Sequence, residues 1–127
     1  MISEKELLNK WFREGFKAGK TEKEMVINRE SLKDTFKRFG GFDDAYDLVG
    51  EEINGWEELN YYWNKYGNRM IDDAENYFGG EYDIDSDEVH NLYIDLEAKF
   101  WDGYIEGRKA VGVDIYEIAE EIIEEGH

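Results

Sequence analysis

Carboxylates are the reactive groups this chain supplies in quantity: 32 Asp and Glu stand against two His, three Ser and no Cys. No Cys-His pair exists without a thiol, and with His90 as the one internal imidazole beside a terminal His127, the sequence points to no Ser-His constellation. Paired carboxylates could do acid-base work. Among 32, however, some pair lies close by chance, so proximity in sequence carries no glycosidase argument. The spacing of Asp83, Asp85 and Asp87 copies the first half of a calcium loop. Glu88 then stands where such a loop needs Gly, and Ile94 where a bidentate Glu should close the coordination sphere. These acids and Ser86 are read instead as the cap of a following helix, placed at the positive end of its dipole. The residues predict a non-enzymatic protein with no cofactor and no metal.

Carboxylates also recur at helical steps. One set is Glu57, Glu58, Asp72 and Glu75, accompanied by Tyr61; the other is Glu117, Glu120, Glu121 and Glu124. Three or four residues apart on a helix, such groups lie about 5 to 6 Å from each other, a row of charge that a basic groove can receive. Cations line up as well, with Arg29, Lys33 and Lys37 at steps of four and Arg38 beside them. Charge is segregated along the chain. Residues 1–40 hold ten Lys and Arg against seven Asp and Glu, whereas residues 41–127 hold five against 25, for a total of −17. An acidic surface of this density repels nucleic acid and attracts basic partners.

Helices must position these groups. Ser3 and Glu6 form a capping box that opens a helix with Leu7, Leu8, Trp11, Gly15 and Ala18 inward and Gly19 as its stop. Thr21 and Glu24 repeat the signal for a short segment burying Met25 and Val26, ending near Asn28. A helix from about Asn28 to Phe39 turns Leu32, Phe36 and Phe39 inward and stops at Gly40 and Gly41. A short one with Ala45, Leu48 and Val49 closes at Gly50. A long aromatic helix starts at Asn54 and carries Trp56, Leu59, Trp63, Tyr66, Met70, Ala74 and Tyr77, with a bend at Gly67 and a stop at Gly79 and Gly80.

The chain is organised around 87–109, where two apolar stripes share one helix: Val89, Leu92, Leu96, Phe100, Gly103 and Gly107 on one side, Ile94, Ala98, Trp101 and Ile105 on the other. The second stripe is read as core or as a partner face. Asp114 and Glu117 cap a last helix with Ile115, Ile118, Ala119 and Ile122 buried, and Val113 stapled on Ile118. The pattern Gly15-Phe-Lys-Ala-Gly19-Lys echoes Gly103-Tyr-Ile-Glu-Gly107-Arg, which predicts two tight helix crossings. With no proline and no alternating β pattern, the fold expected is an all-α compact bundle of about six helices around a central helix near 87–109. It comprises a mildly basic region 1–54 and an acidic region 55–127 in one compact domain.

The run from Ser31 to Gly50 resembles the helix-turn-helix-like repeat associated with homing endonucleases: Phe39, Gly40, Phe42, Ala45, Val49 and Gly50 fit its pattern, with Gly41 and Phe42 replacing Ser and Trp. The resemblance implies a DNA-contacting helix with Arg29, Lys33, Lys37 and Arg38 toward phosphate. In composition the whole chain resembles phage-encoded acidic DNA mimics that block restriction or CRISPR nucleases. That second resemblance implies an inhibitor whose partner is a basic nucleic-acid-binding protein, met through the two carboxylate sets and Tyr61. A DNA-binding transcriptional regulator built on the helix-turn-helix-like unit is the alternative. The intact chain is expected not to bind duplex DNA, because its charge opposes the cation release that drives such binding. Homodimerisation is left open. The start Met1-Ile2-Ser3-Glu4 shows no leader pattern and no stretch is apolar enough for a membrane, so a cytoplasmic protein is expected.

Overall fold

The computed structural model describes residues 2–126; His127 lies outside them. Six helices and no strand form the fold among the described residues: α1 (Glu4–Thr21), α2 (Arg29–Phe39), α3 (Ala45–Glu57), α4, α5 (Asp87–Ala110) and α6 (Ile115–Gly126). Helix α4 runs unbroken over 60–77 as an α-turn (Asn60–Tyr62), a π-turn (Trp63–Gly67) and an α-segment (Asn68–Tyr77). The all-α bundle with its long penultimate helix is the one the apolar periodicity predicts. Polar side chains start the helices by accepting free backbone N–H groups. Ser3 accepts from Glu6 at 3.1 Å, Asn28 from Ser31 at 2.9 Å, Asp44 from Asp47 at 2.9 Å, Ser86 from Val89 at 3.4 Å and Asp114 from Glu117 at 3.1 Å.

Helices α1, α4 and α5 pack together, and α2, α3 and α6 pack on one another. The tightest contact is α1 on α5. A Cβ at Gly15 would stand 1.8 Å from the Phe100 carbonyl oxygen, one at Gly103 2.0 Å from that of Phe12, and one at Gly107 2.2 Å from that of Phe16. Contacts climb both helices together, so the two run parallel. The paired Gly-x-x-x-Gly motifs therefore meet in a single backbone-to-backbone crossing, where two separate ones were expected. Small residues four apart make a flat strip on each helix, and two flat strips mate best with each other.

Several sequence expectations are corrected. Thr21 starts no helix; its hydroxyl donates to the Lys17 carbonyl at 2.8 Å, and residues 22–28 are irregular, with Met25 and Ile27 buried and Val26 only half-buried. Tyr104 holds this segment on α5: its hydroxyl accepts the Ile27 N–H at 2.9 Å and donates to the Met25 carbonyl at 2.9 Å. Gly19 lies inside α1, and Gly50 inside α3, which continues to Glu57. The glycines that do take positive φ are Gly40, Gly41, Gly79, Gly80 and Gly112, where chain reversal requires it. Trp56 therefore belongs to α3, the aromatic helix begins at Asn60 and not at Asn54, and Leu59 is exposed at the link.

Phe39 is 56% exposed, and Thr35 is buried on α2 in its stead. On α6, Ile123 joins the core while Ile118 stays half-buried. At Gly67 the constraint is a neighbour: the Trp63 ring folds over it, and a Cβ would stand 2.4 Å from Cε3. The second stripe of α5 divides, with Ile94 and Ala98 exposed and Trp101 and Ile105 buried.

Candidate functional site

On α6, Glu117, Glu120 and Glu124 are exposed along one side. What the sequence could not supply is the neighbour. The N-terminal end of α3 lies against α6, so that Asp43, Asp44 and Tyr46 line a groove of about 290 Å³ with Glu120, Ile123 and Glu124. Tyr46 is 74% exposed, and its ring stands 5.0 Å from that of Tyr116 at 50°. Tyr116 is half-buried; burial first, then the negative charge of Asp102, pushes its phenol up. The result is an acidic groove with a surface aromatic pair, its walls lined by residues 43–46 and 120–124, more than 70 residues apart in sequence. Glu121 does not belong to it as a free charge, because it accepts from Arg29 at 2.5 Å.

The other carboxylate set forms no single open row. Glu58, Asp72 and the half-buried Glu75 remain on the surface. Tyr61, read as a wet anchor, donates its hydroxyl to Glu22. Glu22 also takes Lys65 Nζ at 2.7 Å and the Tyr66 hydroxyl at 3.0 Å. Burial alone would raise the Glu22 carboxyl, but the hydrogen bonds from Lys65, Tyr61 and Tyr66 outweigh it and hold it below the usual carboxylate range. Tyr61 is thus spent on joining α4 to the end of α1.

Glu57 departs furthest from the expected outward row. It ends α3 half-buried against Glu97 of α5. Glu97 Oε2 accepts the hydroxyls of Tyr62 at 2.8 Å and Tyr93 at 2.6 Å. The buried Trp101 Nε1–H faces this pair and makes no full hydrogen bond. Burial, then the charge of Glu97, pushes the Glu57 carboxyl up to about 8, so Glu57 keeps its proton at neutral pH. Burial likewise pushes the Tyr62 and Tyr93 phenols up, followed in Tyr62 by the charge of Glu97 and in Tyr93 by its hydrogen bond to Glu97. Sequence reasoning missed Glu97, although Tyr93 and Glu97 stand at an i, i+4 step on the central helix.

A pH dependence follows. The folded state keeps a proton on Glu57 that the unfolded chain releases near 4.5, so this group leaves stability undiminished below 4.5 and subtracts from it as pH climbs from 4.5 to about 8. The slope approaches at most about 1.4 kcal/mol per pH unit, less what solvent screening removes at a half-buried site. Glu22, whose value is lowered, acts only below that window. Thermal melts at pH 5, 6, 7 and 8 are expected to fall steadily, and Glu57→Gln to flatten the series. Parallel curves for the two proteins would show that Glu57 is not held protonated by the fold.

The basic row of α2 divides too. Arg29 is paired with Glu121, while Lys33, Lys37 and Arg38 are exposed. At Asp83, Asp85 and Ser86 the chain makes a turn, in which Asp83 accepts the Asp85 N–H at 3.0 Å and Ser86 donates to the Asp83 carbonyl at 2.8 Å. No three metal-ligating side chains converge among the described residues, and no described helix is long and apolar enough to cross a membrane. No family model, curated protein or solved structure matches the chain.

Proposed function

We propose that this chain is a non-enzymatic inhibitor of the phage type, which binds a basic nucleic-acid-binding defence protein such as a restriction or CRISPR nuclease. It presents carboxylates where that partner receives phosphates. The observation that carries the reading is the groove between α3 and α6, where Asp43, Asp44, Glu120 and Glu124 meet beside an exposed Tyr46. Carboxylates steer a basic partner and set the rate of encounter, while an aromatic side chain supplies the kind of central contact that carries binding energy.

The α2-turn-α3 unit supports the regulator reading less well. A helix meant for a nucleic-acid backbone would follow the turn with cations or neutral donors, yet Asp43 and Asp44 lead into α3, and Asp47 and Glu51 follow on it. Asp44 is there for a local reason, as the cap of α3.

The test is inhibition of DNA cleavage by purified restriction and CRISPR nucleases across a salt series. A triple variant, Glu117→Lys, Glu120→Lys and Glu124→Lys, replaces exposed side chains, so each change should move stability by no more than about 0.5 kcal/mol. It is expected to weaken binding at least tenfold at low salt, mostly through slower association, and to lower the ionic-strength dependence. Tyr46→Ala should weaken binding with no change in that dependence. If both variants fold and bind like the parent at every salt concentration, the acidity serves solvation alone.

A further inference from the structure

Glu52 is a buried carboxylate without a cation. It is 6% exposed and is held by two neutral donors, the Thr35 hydroxyl at one oxygen and the Trp56 indole N–H at the other, the latter at 3.1 Å. No Lys or Arg reaches it within 4.0 Å among the described residues, whose ion pairs all lie elsewhere. Taking a carboxylate out of water costs several kcal/mol unless opposite charge and hydrogen bonds compensate. Two neutral bonds leave lone pairs free on both oxygens.

A cleft of about 280 Å³ between α2 and α3 opens onto this carboxylate, walled by Thr35, Trp56 and Gly55, with Asp34 and Arg38 also lining it. Gly55 keeps the mouth wide. It lies inside α3, where Gly costs about 1 kcal/mol relative to Ala, and a Cβ there would meet nothing within 4 Å. Packing does not call for a glycine at that position, and its open side faces the cleft.

We propose that this cleft is a binding site for a guanidinium group, with Glu52 as its counter-ion and the Trp56 indole as its stacking wall. A planar guanidinium can donate two parallel bonds to a carboxylate while lying flat on an aromatic face, which a rounded ammonium cannot. The volume is below the roughly 300–1,000 Å³ of sites for drug-sized ligands, so it suits one such group with the rest of its carrier outside. Asp34 offsets the charge of Arg38 on an incoming cation. The site is separate from the α3–α6 groove and does not rest on the inhibitor reading, since charge reversal on α6 leaves Glu52 untouched.

Because Trp56 Nε1–H bonds Glu52, its indole resonance is a local reporter, assigned by its loss in Trp56→Phe. Titration with ethylguanidinium is expected to shift it saturably while Trp11, Trp63 and Trp101 stay still, and ethylammonium to bind more weakly. Glu52→Gln should weaken binding at least tenfold, the loss of a charged hydrogen-bonding partner. Gly55→Leu, which fills the mouth and should fold at least as well as the parent, should block it. A parallel arm uses a capped Gly-Arg-Gly peptide: tighter binding than ethylguanidinium assigns the group to a polypeptide's arginine, equal binding to a free guanidino compound. A shift that is linear, or equal in parent, Glu52→Gln and Gly55→Leu, overturns the proposal.

Discussion

Gly103→Val is expected to leave essentially no folded protein at 25 °C. A Cβ at this position would stand 2.0 Å from the Phe12 carbonyl oxygen and 2.9 Å from the Phe16 nitrogen, and neither is the free end of a side chain that could swing away. Relief comes only by parting α1 from α5, which forfeits close contact along both helices, including the approach of Gly15 to Phe100 and of Gly107 to Phe16. Domains of this size are stable by about 5 to 15 kcal/mol, and separating the best-packed pair is expected to consume all of that. Gly103→Ala should already be severe. Gly50→Ala provides the contrast, because a Cβ there meets nothing within 4 Å, and it should gain about 0.5 to 1 kcal/mol from helix propensity. Urea unfolding followed by circular dichroism reads all three. A Gly103→Val protein with the parent's midpoint would mean that α1 and α5 do not meet as described.

Much of this architecture is legible in the sequence because it is periodic. Val89, Leu92, Leu96, Phe100, Gly103 and Gly107 are all buried, as one stripe of α5 requires. Caps at Ser3, Ser86 and Asp114 are local chemistry and are found where their spacing places them. Tyrosines are where periodicity runs out. Tyr62, Tyr93 and Tyr104 are buried because each hydroxyl finds a polar partner. For Tyr62 that partner, Glu97, is 35 residues away, and for Tyr104 the backbone of Ile27 is 77 residues away. A side chain with one apolar body and one polar tip can face either way, and only tertiary contact decides. Gly50 fails as a signal for the opposite reason: glycine permits a stop without compelling one.

The candidate groove shows the same division. Spacing identifies Glu117, Glu120 and Glu124 as an exposed row, but nothing local places Asp43 and Tyr46 beside it; the packing of α3 on α6 does that. Segregated charge misleads in part, since some of it is consumed inside the fold. Lys10 meets Asp73 at 2.6 Å and Arg29 meets Glu121 at 2.5 Å, each joining the basic first third of the chain to the acidic remainder. Half-exposed pairs of this kind contribute at most about 1 kcal/mol each. Their consequence is to remove Arg29 and Glu121 from any charged surface offered to a partner.

Trp101→Ala is expected to cost about 3 to 5 kcal/mol, because the second stripe of α5 is core at this point. Trp101 is 4% exposed. It stacks on Tyr62 at 5.8 Å and 16°, and meets Phe100 and Tyr104 edge-on, both at 5.2 Å. Ile94, two turns earlier and 46% exposed, should tolerate alanine far better. Trp101 also covers the protonated Glu57 carboxyl. Removing the indole admits water, and since burial is the largest cause of the raised Glu57 value, that value should relax toward 4.5 despite the loss of the nearby N–H. The penalty for ionising Glu57 then shrinks, so Trp101→Ala should cost less at pH 8 than at pH 5. Trp101→Phe keeps an aromatic ring and deletes a buried donor that lacks a full bond, which should make it the milder change at both pH values. Denaturant midpoints for the parent and the three variants at pH 5 and pH 8 check the set. An alanine variant as stable as the parent would place Trp101 outside the core, and an equal loss at both pH values would separate it from the acid pair.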